Sequence, residues 1–577
     1  ASAGGWAEVD AQAAAAGQLN LPVGMVFNVS DPRIAHFAQW KGAVDDAIVH
    51  AWHSQSWFTN SFTVARADLA RGRLEFSGGG QQGGRNWCRC DQCSYAAPWC
   101  GQKQTPPVHN DTRLISGSWY VEGILDELDA PGEFWFDRKA ERLYVYANDS
   151  AVGLTTAAVP ASLRSLVVPL LAVLISVEGR SSTDVVRNIS ITNVGFRDSA
   201  KTIMGKWAAP SGGDWAMHRG GALFVENAED VRVAGSEFSR LDGNAIFLSR
   251  HTRDVTVERN TFSWLGMGGV TTWGETKAYD VSARTVPLRT RVVDNFFREL
   301  GIWEKQSSAV GLAKTALTTI SGNIMLNMPR AAINFNDGMG GANDVLHNLI
   351  FNTCRESGDH GAINTWDRMP FLHDLTPSVG VAPAKTFETL PNRIAGNFIF
   401  ANYGSSEGVD NDDGSSSYHI DSNVFYWADG FKMDYGGHDS VFTNNVVLSI
   451  PYDGQNCVNL AGFVPGHGHS ARNNTCAVGI GGHRTGSGCG DPSCINASQP
   501  QLMDHVVSLS QCDGTVAIHG NRYYSPSGNT TVHCSAAPVE MTLAEAQAKY
   551  PIERGSTGGV LPSASVMAGW MAEKLGL

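Results

Sequence analysis

Arg393-Ile-Ala-Gly-Asn-Phe-Ile-Phe400, Tyr418-His-Ile-Asp-Ser-Asn-Val-Phe425 and Ser440-Val-Phe-Thr-Asn-Asn-Val-Val447 are three statements of one phrase. Each is an alternating apolar strand, then Asn, then two or more apolar residues. The same phrase surrounds Asn193, Ser236, Asn260, Asn295, Asn323, Asn348, Asn474 and Asn521, and with Asn397, Asn423 and Asn445 most spacings fall in the twenties. Longer gaps read as insertions. Repetition at this period marks a solenoid, and its strand content makes the solenoid all-β. One turn cannot bury its apolar face alone, so turns must stack. An Asn returning at one corner can then form an amide ladder. The expected fold is a right-handed parallel β-helix, the hand following from the chirality of parallel crossovers.

A solenoid grows by length, so 577 residues need no single large core. The net charge of −13 argues against nucleic acid and anionic membranes, which select clustered Lys and Arg. The longest apolar run, Leu166 to Val177, is too short to span a bilayer and holds Pro169. It reads as the first buried strands of the β-helix.

Cys88, Cys90, Cys93 and Cys100 crowd one loop, and Cys457, Cys476, Cys489, Cys494, Cys512 and Cys534 crowd the C-terminal third, while Cys354 stands apart. The first group lacks the paired spacing of a zinc site, so disulfides are the favoured reading. Sequons for N-glycosylation begin at Asn28, Asn110, Asn148, Asn188, Asn473, Asn496 and Asn529. With the cysteines they point to a eukaryotic secretory route and an extracellular glycoprotein. The sequence starts at Ala1 with no signal peptide remaining, as expected of a processed product.

Residues 1–160 lack the phrase and read as a β-rich domain carrying the cysteine loop (88–100). Gly132 to Asp137 and Arg142 to Tyr146 alternate about a turn, a hairpin signal. This domain is expected to pack on the solenoid and cover its first turn, because an open end is an aggregation edge. Residues 161–535 are the β-helix. Residues 536–577 hold two helical stretches, Met541 to Lys549 and Ser565 to Leu575, expected to close the far end.

Another strand follows each Asn corner. Ile333-Asn-Phe-Asn-Asp337 superposes on Ile363-Asn-Thr-Trp-Asp367, Val409-Asp-Asn-Asp-Asp413 and Phe431-Lys-Met-Asp-Tyr435. If Ile333, Phe335, Ile363, Val409, Phe431 and Met433 point inward, two outward columns follow. One is Asn334, Asn364, Asp410 and Lys432; the other is Asn336, Trp366, Asp412 and Asp434. Strands stack about 4.8 Å apart, so Asp412 and Asp434 would approach the roughly 5–5.5 Å separation of retaining glycosidases. Carboxylates crowded in this way supply an acid beside a base. Trp366 and Trp273 offer stacking platforms for sugar rings, and His360, Arg368 and His438 offer hydrogen bonds to hydroxyls. The run Asp410 to Asp413 is equally suited to calcium through oxygen ligands. No other cofactor is indicated. Taken singly, each of these residues has a structural reading as an ordinary turn or packing residue.

Leu128-Asp-Ala-Pro-Gly-Glu-Phe-Trp-Phe-Asp137 with Leu143-Tyr-Val-Tyr146, and Ser357-Gly-Asp-His-Gly-Ala-Ile-Asn-Thr-Trp-Asp-Arg368, resemble segments of secreted β-helix carbohydrate enzymes. The chain is similar to glycoside hydrolase family 141 within the pectate-lyase-like superfamily, from about Val44 onward. The resemblance implies fucosidase or xylanase activity through two Asp on neighbouring turns. Matched by motif, these are Asp367 and Asp410, with Asp412 and Asp413 competing for the second place. The cysteine loop departs from the family.

Three functions follow. The first is a secreted glycosidase acting on a cell-wall or matrix polysaccharide, with Asp367 and Asp410 as the pair, Asp412 and Asp434 as alternatives, and Lys432 tuning their charge. The second is a calcium-dependent polysaccharide lyase using Lys432 or Arg368. The third is a non-catalytic β-helix that binds glycan or self-assembles in an extracellular structure, since fold does not imply function.

Overall fold

The computed structural model describes residues 4–6, 24–42, 44, 47–52, 56–80, 82, 119–146, 166–208, 210, 216–275, 285–336, 341–358, 360–366, 391–402, 407–412, 414–433, 437–449, 457–464, 466–479, 483–484, 495–496, 504–535 and 539–577. The chain is an all-β parallel β-helix with a short helical C-terminus. Among the described residues eleven turns carry three strand segments each, from Ile175–Glu178 in the first to Arg522–Ser525 in the eleventh. The segments stack in parallel on three faces. Turn six shows the order: Ile333–Asn336 on the first face, Asp344–Leu346 on the second and Leu349–Thr353 on the third.

The corner between second and third faces is built as the repeat predicts. Asn260 donates its backbone N–H and its Nδ2 to Asn295 Oδ1, at 2.9 and 3.0 Å. The same paired bonds recur from Asn295 to Asn323, Asn348, Asn397, Asn423, Asn445, Asn474 and Asn521. Serines end the ladder: Ser236 N donates to Asn260 Oδ1, and Asn521 N donates to Ser556 Oγ. The residue before each ladder position is left-handed, with φ between 52° and 68° from Asn193 to Gly520. That conformation costs about 1–2 kcal/mol for an L-residue. The buried amide bonds offset it, and leaving such groups unpaired would cost more.

The register corrects one alignment. Thr192 pairs with Ala234 and Gly195 with Glu237, so Asn193 falls in the left-handed row and Val194 occupies the ladder row. An asparagine suits both rows, which is why the sequence alone misplaced it. A second, shorter ladder enters the second face. Thr318 N donates to Asn343 Oδ1, and Asn343 donates to Asn392 Oδ1.

Inside, residues of one row stack on their own kind. Phe196, Phe238, Phe262 and Phe297 lie nearly parallel with centroids 4.5, 4.8 and 4.5 Å apart. Leu166 to Val173 do not join this core. They form no strand, and Leu170 is 85% exposed. Strand pairing begins only at Ile175, which meets Leu223 of the next turn. An apolar run lying before that pairing has no neighbour to bury it.

The N-terminal segment forms a six-stranded antiparallel sheet over Met25, Val49, Val64, Leu74 and Trp119. It lies along the flank of the solenoid. Gln82 Nε2 donates to Ile203 O, Thr59 Oγ1 donates to Glu304 Oε1, and Gly358 N donates to Ser56 O. Those partners sit in loops leaving the first, fourth and sixth turns. The hairpin pairs Phe134–Asp137 with Arg142–Val145. At the far end Val539–Thr542 runs antiparallel to Thr531–Cys534, and helix Leu543–Lys549 follows, capped reciprocally by Thr542 and Glu545. Leu543 and Ala546 complete the main core. Helix Ala564–Leu575 lies instead on the third face, where Met567, Trp570 and Met571 pack on Val446, Leu448 and Ala477.

Candidate functional site

The first-face strands of turns six to nine stack in the inferred register. Asn334, Asn364, Asp410 and Lys432 form one column, and Asn336, Trp366 and Asp412 the next. Ile333, Phe335, Ile363, Val409, Phe431 and Met433 are all in the solenoid core. Earlier in the same first column stand Phe224, Phe247, Thr271 and Gly311. From Phe224 to Lys432 the column thus changes from apolar through polar to charged.

The column is not the open wall that alternation suggested. Asp410 is 0% and Lys432 4% exposed, and Asn334, Asn364 and Asn336 are buried with them. Only Asp412 is partly exposed. Lys432 Nζ is 3.0 Å from Asp410 Oδ1. Asn364 Nδ2 donates to Asn334 Oδ1 at 3.1 Å, and Arg330 Nη1 reaches the same oxygen at 3.4 Å. Gly361 lies so close that a Cβ there would be 2.8 Å from Asp410 Cβ and 2.4 Å from Glu407 O. Alternation fixes the side of the strand a residue takes; what lies over that side depends on loops distant in sequence.

Two carboxylates in this region were not anticipated. Glu407 and Asp429 are both fully buried and face each other on adjacent strands at the start of the first face. Their signal was position, since each stands two residues before an inward residue, Val409 or Phe431. Glu304 is a third. It is buried beside the N-terminal sheet, and burial raises its carboxyl to about 7. Its Oε1 accepts from Gln306 N, while Oε2 is buried without a hydrogen-bond partner. Asn334 Nδ2, Asn336 Oδ1 and Gln306 Oε1 are likewise unpartnered, and all line one recess with Glu304.

His360 is buried in the loop before Asn364. Burial, then the charges of Arg330 and Lys432, holds its pKa far below the ordinary value, so the ring is neutral. Its Nδ1 makes no hydrogen bond. Trp273 and Trp366, the expected stacking platforms, are almost fully withdrawn from solvent. Both are buried in an apolar cluster with Met217, Phe247 and Ala313, and the Arg219 guanidinium covers Trp273 at 3.9 Å. Outward rings that meet apolar neighbours bury against them. His438 lies away from the column, at the corner after the first face of turn nine, where its Nδ1 is 3.0 Å from Asp439 Oδ2. Asp367, Arg368, Asp413 and Asp434 lie outside the described residues.

Cys457 pairs with Cys476, and Cys512 with Cys534, at Cα separations of 6.1 and 6.2 Å. Cys88, Cys90, Cys93, Cys100, Cys489 and Cys494 lie outside the described residues. Asn28, Asn188, Asn473 and Asn529 are exposed. Asn496 sits in a two-stranded ribbon, and Asn110 and Asn148 lie outside the described residues. Among the described residues no helix is long and apolar enough to cross a membrane.

No protein-family model matches the sequence, and no curated protein does. Two solved structures are similar. A glycoside hydrolase aligns with a TM-score of 0.51 at 15% identity, over 72% of this chain and 71% of its own. A PL6 family alginate lyase aligns at 0.31 and 14%, over 64% and 53%. The first likeness shows a shared fold, in keeping with the expected resemblance. The second is too slight to carry an argument.

Proposed function

We propose that this protein is a glycoside hydrolase acting on a cell-wall or extracellular-matrix polysaccharide, with its chemistry on the first face of turns seven to nine. The observation that carries the reading is the buried Asp410–Lys432 pair beside buried Glu407 and Asp429. Buried charge is expensive, and apolar residues of similar volume commonly stabilise as well or better. The same column takes Phe224 and Phe247 at earlier turns. Charge kept at such a cost indicates a use.

Lys432 favours the ionised form of Asp410 and suits it to act as base or nucleophile. Asp412, two residues along the strand and partly exposed, is the proton donor. A strand advances about 3.3 Å per residue, so their Cα atoms stand roughly 6.6 Å apart on the same side of the strand. Asp367 and Asp434 are the further proposed partners from neighbouring turns. Asn334, Asn364, neutral His360 and Arg368 orient the sugar. A lyase mechanism based on Lys432 is the weaker reading, because its Nζ is engaged with Asp410 Oδ1 at 3.0 Å. The exposed sequons and paired cysteines support a secreted glycoprotein.

One observation favours a non-catalytic scaffold or glycan-binding rod instead: Asp410 has no contact with solvent. Release of reducing ends from a polysaccharide panel separates the two. The hydrolase reading expects release by the native chain and a fall of about 10²–10⁴-fold in Asp410→Asn and Asp412→Asn that keep the native circular dichroism. Undiminished release by both variants would overturn the assignment.

A further inference from the structure

We infer that the corner joining first and second faces of turns nine and ten is a site for a divalent transition metal of the zinc class, held by His438, Asp439 and His467. This inference does not rest on the hydrolase reading. His438 Nδ1 and His467 Nδ1 both converge on Asp439 Oδ2, at 3.0 and 2.9 Å. The two imidazole centroids are 4.8 Å apart, and one donor atom from each residue lies within 4.8 Å of the others. With metal–ligand bonds of about 2.0–2.1 Å, donors on a tetrahedral zinc ion stand roughly 3.3 Å apart. The two imidazole-to-carboxylate distances, 3.0 and 2.9 Å, need open only by a few tenths of an ångström to reach that value.

Two imidazoles and one carboxylate form a borderline-soft donor set suited to zinc rather than to calcium, which takes oxygen. The surrounding backbone is already pinned. Asp439 N donates to Gly468 O at 2.7 Å, and Gly468 N reaches Asp439 Oδ1 at 3.4 Å, engaging the oxygen that faces away from the imidazoles. His469 brackets the other side: its Nδ1 accepts from Ser440 N, and Nε2 lies 3.2 Å from Gly437 O. Such outer bonds fix ligand orientation in metal sites. His438 is buried, while Asp439 is 43% and His467 19% exposed, so the solvent side is left for water as a fourth ligand. Because the ligands come from successive turns, the ion would cross-link turn nine to turn ten next to the strand that carries Lys432.

The test is titration of the untagged, EDTA-treated full chain with Co²⁺, followed by displacement with Zn²⁺. The expected result is visible absorption saturating at one equivalent and lost on adding Zn²⁺. His467→Ala and Asp439→Asn should each weaken Zn²⁺ binding at least ~10-fold, the lower bound for disturbing even an outer-shell partner. Asp439→Asn keeps a residue tolerant of the left-handed φ of 55° found there, so it guards against simple misfolding. No saturable binding by the native chain, or unchanged binding in a natively folded Asp439→Asn variant, would overturn the inference and leave the three side chains a hydrogen-bonded cluster.

Discussion

Lys432 stands directly over Asp410, one turn further along the same column, with Nζ 3.0 Å from Oδ1 and both side chains almost entirely withdrawn from water. Removing the cation leaves the carboxylate in a medium that penalises it. Lys432→Met should lower unfolding free energy by about 3–5 kcal/mol, and the double variant Asp410→Asn/Lys432→Met should recover most of the loss. Denaturant unfolding of the single and double variants measures this. Equal losses in both would mean the pair contributes nothing as a pair.

Glu304 supplies a pH dependence of definite sign. Its carboxyl rises to about 7 in the folded chain from an ordinary value of 4.5, chiefly through burial. The folded state therefore binds the proton more tightly than the unfolded chain. This contribution is fully present below pH 4.5 and is lost as pH rises through about 7, a change of about 3 kcal/mol. Glu304→Gln should flatten stability against pH across that window and be more stable than the native chain above it. Superimposable profiles would show that the carboxyl is not held neutral.

The Asn ladder should respond according to row. Asn397 Nδ2 donates to Val345 O and Asn423 Oδ1, and its Oδ1 accepts from Asn348 N and Nδ2. Asn397→Ala strands several buried groups and should cost about 2–4 kcal/mol. Asn193, in the left-handed row, should tolerate Gly with little change. Thermal unfolding of both variants checks the contrast, and similar losses would contradict the assignment of rows.

Cys457 and Cys476 close a loop with a sequence separation of 19 inside turn ten. Opening it should cost about 3 kcal/mol by chain entropy. A paired Cys457→Ala/Cys476→Ala variant, compared with the native chain with and without reductant, tests this. A reductant effect that survives in the variant belongs to other cysteines.

The repeat at Asn260 to Asn521 determined, without coordinates, that the chain winds into stacked turns, where the amide ladder lies, and which residues of strands such as Ile333–Asn336 face inward. Those properties are set locally, by alternation along a strand and by recurrence from turn to turn. Other features arise from chain segments far apart in sequence, and only the tertiary structure decided them. Asp410 is covered, Trp273 and Trp366 share an apolar cluster with Met217, and Glu304 meets Thr59 of the flanking sheet. His467 likewise reaches Asp439 across one turn. A period of two specifies which side of a strand a residue takes; whether that side meets water, a loop or another sheet depends on how distant segments pack, and packing is not periodic.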